Sequence, residues 1–237
     1  MKYLKDDFAH RDADGGEDAV TSTQLLEQRL TELEKKLAGL PPAALEDRAL
    51  VQIEMGQALV DLKRGLLAFD LGRAAFDTAI EHDLWETAVI ACEIMFNADE
   101  EDSLPALGQG LWLAITFPVD PELTVALLQH VVDETPAESD GAAVAATVAH
   151  YISDVRGSGL ARDNLMMFTN NMLATVARRH GNVTTQDQFS FWFNKLELGD
   201  PAKFLPRLRN VIDVMVQDNW WLDRDAIWAK LPIQQKG

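Results

Sequence analysis

The chain has 237 residues, of which 47% are hydrophobic and 25% are charged; these ordinary globular values exclude wholesale disorder. Its 38 acidic and 21 basic residues give a formal net charge of −17, which disfavours binding to nucleic acid or anionic membrane surfaces, because both need clustered Lys and Arg. A basic protein partner is easier to attract, although an acidic surface kept for solubility explains the charge equally well.

Residues 1–20 are polar and acidic, with the run DADGGEDA and no apolar periodicity. Such a segment cannot bury enough apolar surface to offset the entropy lost on ordering, so we predict a disordered tail. The opening MKYLKDDFAH lacks the apolar stretch of a signal peptide, and no apolar run is long enough to span a bilayer. The expected location is the cytoplasm.

Residues 21–41 are predicted to form a helical arm with a heptad seam made of Leu26, Leu30, Leu33, Leu37 and Leu40. Two heptads are short for an independent coiled coil, because isolated helices of this length are marginally stable. The seam therefore either packs on the main body or pairs with a partner helix. The second interpretation allows a homodimer through this arm and makes four leucines candidate protein-binding residues: Leu26, Leu30, Leu33 and Leu37.

We predict a single all-helical domain over residues 42–232, followed by a tail at 233–237, because apolar residues recur at helical spacing and strand-like alternation is almost absent. Asp-Pro pairs at 120–121 and 200–201 mark two helix starts. Short connections favour an all-α antiparallel array of helix hairpins, either a solenoid or an irregular bundle. The predicted helices cover 43–64, 66–82, 84–97, 104–116, a stretch starting at 120, 142–155, 160–180, 185–196, 201–217 and 223–231.

Large and small residues follow a family-like spacing between Met55 and Ile80, at Met55, Gly56, Leu59, Ala68 and Ala75. In this pattern the stretch resembles one tetratricopeptide repeat, whose small residues let two helices approach closely. Gly72 stands where that family usually has an aromatic residue, and the family's closing proline is missing. The resemblance implies a tetratricopeptide-like α-solenoid, a fold that holds ligands along its concave helices.

No catalytic, cofactor or metal site is predicted. None of the five histidines has another His three or four residues away, so no helix face offers a minimal pair of metal ligands. Cys92, the single cysteine, lies in an apolar helical stretch and is predicted to be a buried, inert thiol. The Gly108-Gln109-Gly110 run lacks the preceding strand and the following Lys-Ser/Thr of a phosphate-binding loop.

Aromatic residues concentrate near the C-terminus, where four of the six tryptophans lie between residues 192 and 228. One interpretation is a terminal core layer, since a helical array must close its last helices. The other is a surface that anchors a partner, because Trp and Arg dominate binding hot spots. On that interpretation Trp221, Arg224 and Trp228 form a candidate recognition patch.

These patterns favour a non-enzymatic adaptor or scaffold that holds partner proteins whose identity the sequence does not specify. A first alternative is an accessory or assembly subunit of a larger bacterial enzyme complex. A second is an enzyme whose carboxylates meet across helices. The enzyme would need a concave pocket that holds at least two buried acids with raised pKa.

Overall fold

The structure, a computed structural model, describes residues 2–4 and 16–231. Within these ranges the chain forms eleven α-helices and no strand. The helices are α1 (Gly16–Gly39), α2 (Leu45–Asp61), α3 (Gly65–Glu81), α4 (Trp85–Asn97), α5 (Ser103–Thr116), α6 (Pro121–Glu134), α7 (Asp140–Arg156), α8 (Gly159–Gly181), α9 (Gln186–Lys195), α10 (Pro201–Val216) and α11 (Arg224–Ala229).

The helices pack on their chain neighbours in two runs, one from α2 to α5 and one from α6 to α8. Short turns join the members of each run, so neighbouring helices are antiparallel. Helices two positions apart also touch within each run, α2 with α4 and α6 with α8. The two runs meet where α5 contacts α6, and α10 strengthens the junction by packing on both α5 and α7. The predicted all-α array of helix hairpins is confirmed.

The predicted N-terminal tail lies largely outside the described residues. Within them, α1 begins at Gly16, so residues 16–20 are helical where the sequence predicted disorder. The predicted tail at 233–237 also lies outside the described residues.

The leucine seam of α1 packs on the main body, which is the first of its two interpretations. Leu30 and Leu33 are buried, whereas Leu26, Leu37 and Leu40 are half-buried. The cluster that Leu30 and Leu33 join also contains Val51, Met55, Leu59, Ala68 and Ala98. A homodimer through the same seam would require α1 to separate from α2.

The stretch that resembles a tetratricopeptide repeat forms the hairpin of α2 and α3, and its glycines set how closely α4 approaches. A Cβ added at Gly56 would lie 2.7 Å from Ile94 Cγ2, and one at Gly72 would lie 2.7 Å from Met95 Cγ. The glycine that departs from the family pattern is therefore required by the contact with α4. Membership of the tetratricopeptide family stays a prediction.

Helices α2 and α3 end in matching three-residue turns, at 62–64 and 82–84. The middle residues, Lys63 (φ 58°) and Asp83 (φ 56°), adopt the left-handed conformation. After α2, the backbone N–H of Arg64 donates to the carbonyl of Leu59 at 2.8 Å, a bond that closes the helix end. This conformation costs a residue with a Cβ about 1–2 kcal/mol, so neither turn has its ideal residue.

Replacing Lys63 by glycine is expected to raise the free energy of unfolding by about 0.5–1 kcal/mol, because glycine adopts positive φ without the Cβ clash. Lys63 is exposed, so its side chain contributes little packing. The same substitution at exposed Lys35, inside α1, should instead lower stability by about 1 kcal/mol. Urea denaturation measures both variants, and a loss of stability in Lys63→Gly would contradict the turn conformation.

Candidate partner-docking surface

After α10 the chain turns back across α5 and α3 as the C-terminal segment, residues 217–231. The Asn219 side-chain amide donates to Asp102 Oδ1 at 2.8 Å. Two residues later, the backbone N–H of Trp221 donates to Gln109 Oε1 at 2.7 Å. These bonds join positions more than 100 residues apart in the chain, so they fix where the segment crosses the array.

Gln109 is fully buried, which is unusual for an amide side chain. Its Oε1 accepts the Trp221 bond, whereas its Nε2 has no hydrogen-bond acceptor in the described part of the chain. An unsatisfied buried donor costs about 1–3 kcal/mol. Gln109 therefore specifies the path of the C-terminal segment at a cost in stability.

Trp221 anchors the C-terminal segment on α3. Its ring makes edge-to-face contacts with Phe69 and Phe76, at centroid distances of 6.0 and 5.8 Å. The Arg73 guanidinium carbon lies 4.4 Å from the centroid of the Trp221 ring. Aromatic and cation–π contacts of this kind add to the area that the half-buried indole removes from water.

A second set of indoles, the tryptophan cluster (Trp112, Trp220 and Trp228), lies where α11 meets α5. Trp112 is 6.2 Å from Trp220 and 6.4 Å from Trp228, centroid to centroid. The Arg224 guanidinium carbon lies 3.9 Å from the Trp220 centroid, and Arg224 also donates to Asp213 Oδ1 at 3.0 Å. Trp112 and Trp220 are half-buried, but Trp228 is 61% exposed. The cluster therefore presents an open aromatic surface.

The end of the C-terminal segment is fixed by Lys230, whose ammonium nitrogen lies 2.6 Å from Asp83 Oδ1. The same nitrogen lies 5.8 Å from the ring of Trp85, which stacks on Phe117 at 4.0 Å. Both ends of the segment are thus held by polar contacts to the helix array.

The structure divides the predicted recognition patch. Trp221 packs on α3 as part of the core layer, whereas Trp228 belongs to the tryptophan cluster and Arg224 lies over Trp220 of that cluster. The leucine candidates lie on α1, where Leu30, Leu33 and Leu37 pack on α2 and Leu26 is half-buried. Trp112 completes the cluster, but the sequence does not single it out, because α5 is apolar on nearly every face.

A separate cleft of about 300 Å³ lies between α6 and α8. Its apolar wall contains Val132, Phe168, Met172 and Val176, and its polar wall contains Gln129, Asp133, Asn171, Thr175 and Arg179. Arg179 closes one end by donating to the carbonyl of Val132 at 2.8 Å. The cleft holds one carboxylate, Asp133, so it does not bring together the two acids that acid–base catalysis would use.

Cys92 and two of the histidines, His150 and His180, lie in structural contacts. Cys92 is buried as predicted, and burial raises the pKa of its thiol. His180 links three helices, since its Nδ1 accepts from Trp192 Nε1 at 2.9 Å and its Nε2 lies 3.2 Å from Asp140. Desolvation lowers the pKa of half-buried His150. Among the described residues, no group of three or more His, Cys, Asp and Glu could hold a metal ion.

Comparisons with protein-family models, with curated proteins and with solved structures found no match for this chain. No helix in the described ranges combines the length and the apolar character needed to cross a bilayer.

Separate alanine substitutions of Trp221 and Trp228 should distinguish the packed indole from the exposed one. Trp221→Ala is expected to lower the free energy of unfolding by about 2–4 kcal/mol, because it removes a packed ring. Trp228→Ala should cost less than about 1 kcal/mol, because its ring is largely in water. Chemical denaturation measures both variants. Equal losses would mean that Trp228 belongs to the core.

Proposed function

We propose that the protein is a non-enzymatic adaptor that holds partner proteins, with the tryptophan cluster as its docking surface. The observation that carries this proposal is Trp228, a large apolar side chain that is 61% exposed and lies against Trp112, which in turn contacts Trp220. Exposed clustered apolar side chains are typical of interaction sites. Tryptophan and arginine are also the residues most enriched in binding hot spots.

The position of the cluster supports the same proposal. Its indoles come from α5 and from two places in the C-terminal segment, position 220 and α11, and Arg224 is bound to Asp213 of α10. Packed helices hold this surface in one conformation before a partner binds. Binding therefore costs less free energy, because few side chains of the surface have to be ordered. We also propose, from the sequence, that the helical body is tetratricopeptide-like and that the protein is cytoplasmic.

Capture from the source cells tests the adaptor function directly. Full-length tagged protein should retain a reproducible set of proteins that Trp228→Ala loses, because the indole is the proposed contact. The control is Phe191→Ala, which removes another exposed aromatic ring, on α9. Quantitative mass spectrometry of the captured proteins compares the three samples.

Capture that is the same for wild type and Trp228→Ala would contradict docking through the tryptophan cluster. An empty capture from wild type, in several extraction conditions, would contradict the adaptor function itself. A single partner complex at fixed stoichiometry would support the accessory-subunit alternative over a general adaptor.

A further inference from the structure

Cation–ring pairs recur along the surface of the C-terminal segment. Arg73 lies over Trp221 at 4.4 Å and Arg224 over Trp220 at 3.9 Å, each measured to the ring centroid. Lys230 lies 5.8 Å from the ring of Trp85. Within the described chain no cation lies over Trp228, the most exposed indole of this surface.

The C-terminal segment that carries Trp228 has more acidic than basic residues, with Asp218, Asp223 and Asp225 against Arg224 and Lys230. Arg224 and Lys230, the two basic residues of the C-terminal segment that the structure describes, pair with Asp213 and Asp83. Asp218 and Asp225 are both exposed and form no ion pair within the described ranges.

Asp225 and Trp228 are three residues apart on α11, so their side chains lie on the same face of the helix. Asp223, by contrast, uses its carboxylate to accept the backbone N–H groups of Asp225 and Ala226. The free carboxylate and the open indole are therefore neighbours. Together they offer a cation both an ion-pair partner and an aromatic ring.

We propose that Trp228 and Asp225 bind an arginine or lysine side chain from a basic segment of a partner protein. This inference rests on the proposed adaptor function and names the chemistry of its partner. Arginine fits best, because its planar guanidinium stacks on an indole and also pairs with a carboxylate. A second copy of this chain is a poor occupant, since each copy carries a formal net charge of −17 and two copies repel.

Peptide binding to the intact full-length protein tests the proposal. The probe is a fluorescent, end-blocked peptide of sequence (Arg-Leu-Ala-Ser)3, and the matched probes replace Arg by Lys, citrulline or Glu. Fluorescence anisotropy should show the Arg peptide binding most tightly, Lys less tightly, and citrulline and Glu weakly. Trp228→Ala should weaken Arg-peptide binding by about tenfold or more, and Asp225→Asn by about threefold.

Two α9 variants control for general effects of an exposed ring and an exposed charge. Phe191→Ala and Asp187→Asn should leave the affinity for the Arg peptide unchanged. They remove an exposed aromatic ring and an exposed carboxylate from α9, away from the proposed site. Circular dichroism confirms that each variant is folded. A double variant should show coupling, with Asp225→Asn weakening binding less once Trp228 is gone.

Three results would overturn the proposal: no binding of the Arg peptide to wild type, equal binding by Trp228→Ala, or a preference for the Glu peptide. Light scattering without peptide adds a fourth, since a dimer that Trp228→Ala abolishes would mean that a second copy covers the indole. If wild type does not bind the Arg peptide while Trp228→Ala still loses captured partners, the adaptor function stands. Only the inference that the partner segment is basic would then be wrong.

Discussion

Gly108, Gln109 and Gly110, three consecutive residues of α5, each contact a different part of the chain. The packing of the molecule depends on these three contacts. A Cβ at Gly108 would lie 2.5 Å from Val216 Cγ2 of α10, and a Cβ at Gly110 would lie 2.6 Å from Cys92 Cβ of α4. Between them, Gln109 accepts the backbone N–H of Trp221. Since successive helical residues point about 100° apart, α5 contacts all three elements around its circumference. The two glycines are therefore packing residues.

This central position of α5 links the core to the open surface. Because α10 can sit close to Gly108, it bridges α5 and α7, and the C-terminal segment leaves it in position to cross α5 and α3. That crossing buries one side of Trp221 and places Trp228 beside Trp112 in water. The same segment thus completes the core and creates the proposed docking surface.

Much of the fold could be predicted because its signals are local. Asp120, predicted as a helix cap, accepts the backbone N–H of Glu122 at 2.8 Å, and helix spacing identified the array. The candidate site depends on long-range contacts instead. Trp221 and Trp228 look alike in sequence, and which one is exposed depends on a bond between Trp221 and a residue 112 positions earlier. The contribution of Trp112 was hidden because α5 is apolar on nearly every face, so its sequence does not mark the side that meets the C-terminal segment.

The central claim is that the close packing of α10 on α5 at Gly108 positions the tryptophan cluster. Hydrogen–deuterium exchange of the Gly108→Val variant tests it most directly. The added side chain would displace Val216 and Met215, so we predict faster exchange in α10 and the C-terminal segment together, with α1 unaffected. Gly39→Val is the matched control, because no atom lies within 4 Å of a Cβ there. Unchanged protection of the C-terminal segment in a Gly108→Val variant whose α10 exchanges faster would contradict the account.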